Sequence, residues 1–210
     1  MPMNERGALL PALDRLFAGP RNSLLTISAM LEGLENRSYA FAIAAINLPN
    51  CIPTGIPWLS TITGVPMLLL VAQFFMGRPS PSLPDFIGNR GMERGRLQDF
   101  LGRARRHLRR LERTIHPRRE WWLAGTPRRL LLLAWAANIF VLALPIPFDN
   151  LFPAWAIFFY CLALIEGDGV MAMLGWLLTM VTVMWTVFLL MIGHAAILTA
   201  FAALHRLLFD

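Results

Sequence analysis

Four prolines (Pro49, Pro53, Pro57, Pro66) and two glycines (Gly55, Gly64) interrupt one apolar region, beginning with Leu48-Pro-Asn-Cys-Ile-Pro-Thr-Gly-Ile-Pro57. Each proline removes an amide donor and crowds the preceding turn, so no continuous helix is expected through residues 48–66. About one hundred residues later a shorter version recurs, Pro145-Ile-Pro-Phe-Asp-Asn-Leu-Phe-Pro153, in which Asn150-x-x-Pro153 corresponds to Asn50-x-x-Pro53. Both breaks are flanked by apolar runs. Broken apolar segments at matching places in two halves of a chain point to a transport site. The pattern predicts a membrane protein with a polar break at depth.

Composition supports that frame, because 56% hydrophobic and 15% charged residues are too apolar a mix for an ordinary soluble domain. All 19 basic residues are arginine. A pI near 10.9 would suggest nucleic acid in a soluble chain. Beside apolar spans, anionic lipid headgroups are the expected partner and nucleic acid is not. Cys51 and Cys161 both lie in apolar segments and are read as small buried fillers. The chain carries no zincin, nucleophile-elbow or P-loop motif, and no lysine for Schiff-base chemistry. Neither an enzyme nor a bound cofactor or metal is expected.

The fold class expected is an all-α integral membrane protein, built of two related units that each hold a broken or re-entrant helical hairpin, plus amphipathic interfacial helices. Residues 1–37 supply two amphipathic helices, without a signal peptide; the first carries Leu9, Leu10, Leu13, Leu16 and Phe17, and the second is capped by Ser23. Residues 38–77 form the first broken hairpin, with short arms at 38–48 and 64–77. Residues 78–129 form a basic linker, predicted cytoplasmic from its arginines, with an amphipathic helix from Glu93 to His116. Residues 130–210 hold the second hairpin and a clean span from Val170 to Ile192, interrupted at Gly193-His194. Half-helices are expected to start near Thr54 to Pro57, near Gly64 to Pro66 and after Pro153.

Candidate substrate-binding residues cluster at the breaks: Asn47, Asn50, Thr54, Gly55 and Thr61 at the first, Asp149 and Asn150 at the second, with Gln73 on a neighbouring arm. Buried asparagines also cap freed backbone groups at a helix break, and Gln73 also suits an interhelical hydrogen bond. Asp149, Glu166, Asp168 and His194 are candidates for handling protons or ions, because a carboxylate at depth is costly and defaults to a function. For Glu166 and Asp168 the structural alternative is a turn at the membrane boundary. Arg105, Arg106, Arg109 and Arg110 are candidates for lipid headgroups, and a merely solvated face is the alternative. Exposed amides at half-helix starts suit an anionic group.

The order of these motifs resembles the ExoD family. The resemblance rests on Leu48-Pro-Asn, Ile52-Pro53, Gly55-Ile-Pro57, Ser60-Thr61, Gly64 and Pro66, then Gln73, Gly77-Arg78, Leu111-Glu-Arg113, Pro117-Arg118, the second break, and Asp168-Gly169. It covers roughly residues 20–190. It implies a small polytopic helical protein of the bacterial inner membrane, linked to exopolysaccharide synthesis. Two positions depart from the family pattern: Gly167, where a basic or polar residue is expected, and Trp58, where glycine is common and a bulky ring would narrow a cavity. The function expected is transport or flipping of an anionic, phosphate-bearing lipid, with a polyprenyl-phosphate carrier or a second copy of the chain as partners. An ion- or proton-coupled carrier and a non-catalytic scaffold of a synthase are the alternatives.

Overall fold

The structure is a computed structural model, and it describes residues 9–34, 37–52, 58–84, 88–114, 120–144, 146 and 149–209. In chain order the elements are α1 (Leu9–Phe17), β1 (Leu24–Thr26), α2 (Ile27–Gly33), α3 (Ser38–Asn47), a 3-10 turn (Leu48–Cys51), α4 (Leu59–Phe75), β2 (Gly91–Glu93), α5 (Arg94–Thr114), a second 3-10 turn (Glu120–Leu123), α6 (Gly125–Ala143), α7 (Leu151–Glu166) and α8 (Gly169–Phe209). The chain is therefore overwhelmingly helical, as expected.

Helix α7 is the centre of the bundle, flanked by α3, α6 and α8. Its residues Ala154, Ala156, Ile157, Tyr160, Cys161 and Ala163 are fully buried. Small side chains there let neighbouring backbones come close, the usual way apolar helices associate when lipid solvates both. The same device joins α4 to α6, where a Cβ added to Gly64 would lie 2.7 Å from Cα of Ala143. Gly64 therefore serves helix packing rather than a helix start. That corrects the expectation of a half-helix beginning at Gly64 to Pro66: α4 runs unbroken from Leu59, with Pro66 inside it. The Thr63 hydroxyl donates to the Leu59 carbonyl at 2.9 Å within its first turns.

Two of the described helices are long and apolar enough to cross a bilayer, Gly125–Ala143 and the first 26 residues of α8. They do not behave as soluble core helices, since only 33% and 11% of their apolar windows are buried. Ile62 and Leu69 on α4, Leu133 and Phe140 on α6, and Met180 and Met184 on α8 are all exposed. Apolar surface spread over several helices is what lipid solvates, and it points to membrane association. Helix α8 continues through Gly193 and His194 to Phe209, so the expected interruption does not occur.

Beside the bundle, α1 packs on α5. Leu10, Leu13 and Phe17 of α1 are buried, as are Leu97 and Leu101 of α5. Polar side chains of α5 close the end of α1: Arg94 donates to the Leu16 and Ala18 carbonyls at 2.6 and 2.7 Å, and Gln98 to Phe17 at 2.8 Å. Carbonyls left free at a helix C-terminus are so satisfied. A short antiparallel ribbon, Leu24↔Glu93 to Thr26↔Gly91, joins the two regions and has no counterpart in the sequence expectations. Its first strand displaces the expected helix start. Ser23 closes a turn onto the Pro20 carbonyl, and Thr26 caps α2 by accepting from the Ala29 amide.

Candidate functional site

The two breaks meet at one end of the bundle. Helix α3 ends at Asn47, whose Nδ2 donates to the Ala154 carbonyl at 2.7 Å, in the first turn of α7. That turn starts from Asn150, whose carbonyl accepts from the Ala154 amide at 3.2 Å. In the same way α4 begins beside the end of α6, through Gly64 and Ala143. The other end of the bundle gathers the linker: Tyr39 donates from its hydroxyl to the Ser80 carbonyl at 2.9 Å, and the Gln73 side chain makes two hydrogen bonds to the Ser82 backbone.

At the break end three polar side chains are buried. Asn47 and Asp149 are 0% and 1% exposed, and Asn50 is 6% exposed. Asn50 Nδ2 donates to Thr63 Oγ1 at 2.9 Å, which ties the 3-10 turn to α4. Asp149 Oδ2 accepts from the Thr186 hydroxyl of α8 at 2.7 Å. Burial pushes the Asp149 carboxyl above the ordinary carboxylate range, and the Thr186 hydrogen bond works against that shift. Four buried oxygens here have no hydrogen-bond partner: Asn47 Oδ1, Thr61 Oγ1, Asp149 Oδ1 and Asn150 Oδ1. Neither Trp58, which precedes α4, nor Asn150, which precedes α7, caps its helix with a side-chain hydrogen bond.

The remaining candidates lie elsewhere. Thr54 and Gly55 fall outside the described residues. Gln73, a candidate ligand by its place in the sequence, stands at the linker end and holds Ser82 instead. Glu166 and Asp168 are buried at that same end, separated from Asp149 by the 16 residues of α7, roughly 24 Å. They frame a turn: Gly167 takes a left-handed φ of 73°, which favours glycine, and Asp168 Oδ1 accepts from the Val170 amide at 2.8 Å. His194 is exposed on α8. Arg105 pairs with Asp14 of α1 at 2.6 Å and Arg106 is exposed, while the side chains of Arg109 and Arg110 fall outside the described residues. Trp58 is 65% exposed, so its ring does not fill the break. Among the described residues no three His, Cys, Asp or Glu side chains group to hold a metal.

Sequence reasoning missed one polar network. In the interior of α6, α7 and α8, Thr179 Oγ1 lies 2.8 Å from Asn138 Nδ2 and 2.9 Å from the Tyr160 hydroxyl, and donates to the Gly175 carbonyl. A lone asparagine on an apolar arm was the available signal, of the same kind as Gln73.

The family described as "Exopolysaccharide synthesis, ExoD" matches residues 9–188. Protein ExoD of Rhizobium meliloti (strain 1021) is 26% identical over 198 residues, covering 92% of this chain and 80% of that protein. An uncharacterized protein of Synechocystis sp. is 25% identical over 157 residues, 74% of each chain. No solved structure matches the chain. With its motifs in family order and the family matched over most of its length, this chain belongs to the ExoD family, which is linked to exopolysaccharide synthesis.

Proposed function

We propose that the chain is a multi-pass protein of the bacterial inner membrane that carries an anionic, phosphate-bearing lipid or lipid carrier for exopolysaccharide synthesis. The observation behind this reading is the meeting of two helix breaks, with buried polar side chains and two helix starts lacking a side-chain cap, at one end of an apolar bundle. Uncapped amides at a helix N-terminus suit a phosphate. Both hairpins turning at the same end fit a parallel pair of units rather than an inverted one.

The membrane placement has its own support. Trp58 and Trp155 are exposed at the break end, and Trp121 is exposed just before α6. The 19 residues of α6 separate these levels by roughly 28 Å, close to the hydrocarbon thickness, and tryptophans favour both interfaces. Arg37 and Arg78 flank α3 and α4 and Arg128 and Arg129 lie in the first turns of α6, all at the linker end, whereas residues 38–77 and 130–205 contain no arginine. That asymmetry supports a cytoplasmic linker, with α5 against anionic headgroups.

The test is translocation of a labelled polyprenyl phosphate in proteoliposomes. Wild-type chain accelerates it, and Asn150→Ala, inserted at normal levels, abolishes the acceleration. Equal rates with and without protein refute the carrier reading and leave a scaffold.

The ion-coupled alternative is favoured by one observation, the buried Asp149 carboxylate in a region without basic side chains.

A further inference from the structure

We propose that the α1–α5 module docks on an anionic bilayer through one face made of Leu24, Arg96, Phe100 and Arg103, with the two apolar side chains entering the leaflet beside the arginines. This deepens the membrane reading of α5 and rests on it. The face is not the apolar stripe that the sequence displays. Leu97 and Leu101 of that stripe are buried, as are Leu10, Leu13 and Phe17 of α1, which packs on α5. What α5 offers to lipid therefore comes from its other side. The arginines there are not equivalent. Arg105 and Arg21 are held by Asp14 and Asp99 at 2.6 and 2.7 Å, and Arg94 closes the end of α1. Among the described residues Arg103 and Arg106 meet no carboxylate, and Arg96 only approaches Glu93 at 3.5 Å.

Register and contacts bring the four side chains together. Leu24 stands directly opposite Glu93 across the ribbon, so both project from the same face of it. Glu93 in turn approaches Arg96. Arg96, Phe100 and Arg103 follow at i, i+4 and i+7, one stripe of a helix. Phe100 is 62% exposed and Leu24 69%, two large apolar side chains on an otherwise charged surface. Met92, also exposed, pairs with the buried Leu25 and projects from the opposite face of the ribbon. Charge selects the occupant. Between residues 90 and 106 six arginines stand against two carboxylates, Glu93 and Asp99. Anionic headgroups attract each guanidinium, while the acyl boundary just below them takes apolar side chains, the arrangement of an interfacial helix. Arginine stems can lie along the ring while their heads stay among the headgroups. Helix α2 follows β1 directly and packs on α3 of the bundle, which keeps the module within reach of the same bilayer.

The experiment uses the full chain, freed of Cys51 and Cys161, in nanodiscs of phosphatidylcholine alone or of its equimolar mixture with phosphatidylglycerol. A water-sensitive fluorophore on Leu24→Cys, with Phe100 intact, is read against iodide in the water and a spin-labelled lipid in the bilayer. In the anionic mixture the label is expected to shift to the blue, to resist iodide and to be quenched by the lipid. In phosphatidylcholine alone, or in high salt, it is expected to return to water. Arg96→Gln and Arg103→Gln are each expected to lower the docked-to-undocked ratio about fivefold, and Phe100→Ser to act in the same direction. The same fluorophore on Gly102→Cys, off the stripe and facing open space, is expected to stay accessible to iodide throughout. A Leu24 label that reads water in both lipid mixtures overturns the proposal. So does equal protection in both, which leaves the arginines no part, or protection from iodide without quenching by lipid, which assigns the face to a protein neighbour. A label on Leu133→Cys, exposed on α6, reports the membrane reading separately. Lipid quenching there with water at Leu24 refutes the docking face and spares the bundle's span; water at both refutes the span as well.

Discussion

Trp58 holds a backbone φ of +65°, the one positive value at a non-glycine among the described residues. A side chain in that left-handed region costs roughly 1–2 kcal/mol, because its Cβ crowds the neighbouring carbonyl. The ring is 65% exposed and little packing offsets the cost. Trp58→Gly is therefore expected to raise stability by about 1 kcal/mol in a thermal melt, whereas Trp58→Ala, which keeps the Cβ, gains nothing. The glycine expected here from the family pattern was legible in the sequence. Its meaning was not, since the reason is backbone conformation and not room in a cavity. Asp149 gives a second prediction at this scale. Its carboxyl is raised on folding, so it favours the folded state when protonated, and that contribution is lost as pH rises through the raised value. Asp149→Asn is expected to melt later than wild type at pH 7, with the gap closing as pH falls to about 4. A gap that widens on acidification contradicts the assignment.

At the level of elements, Gly64 and Gly102 make a matched pair. A methyl group at Gly64 meets the backbone of α6, while nothing lies within 4 Å of one at Gly102 on α5. Gly64→Ala is expected to destabilise by about 1–3 kcal/mol through overpacking. Gly102→Ala is expected to stabilise by up to about 1 kcal/mol through helix propensity. Denaturant melts of the two variants distinguish packing from propensity. This contrast also explains where reading by sequence fell short. Periodicity located α1 and α5, and hydropathy located most of α8, because those signals are local. Gly64 and Pro66 looked like a helix start because a glycine's tertiary partner, Ala143, lies 79 positions away. The ribbon of three-residue strands is too short to alternate visibly, and it is fixed by pairing across the linker.

For the whole molecule, the described break residues beside Asn47 and Ala154 lie at the end of the bundle away from Gln73 and Ser82. The spacing of Asn50 and Asn150 in sequence suggested that the two breaks belong together, and the hydrogen bond from Asn47 to Ala154 supplies a contact that spacing alone did not name. Which oxygens stay unpartnered was not readable from sequence, since it depends on which amide nitrogen meets which carbonyl. Opposite placement of breaks and linker is open to thiol labelling of intact cells, in a variant lacking Cys51 and Cys161. Cysteine replaces Ile52 at the break end or Ser82 at the linker end; both positions are exposed. A membrane-impermeant maleimide is expected to label the Ile52→Cys protein from outside, and the Ser82→Cys protein only after permeabilisation. Labelling of both positions from the same side contradicts a bundle whose breaks and basic linker lie on opposite faces of the membrane.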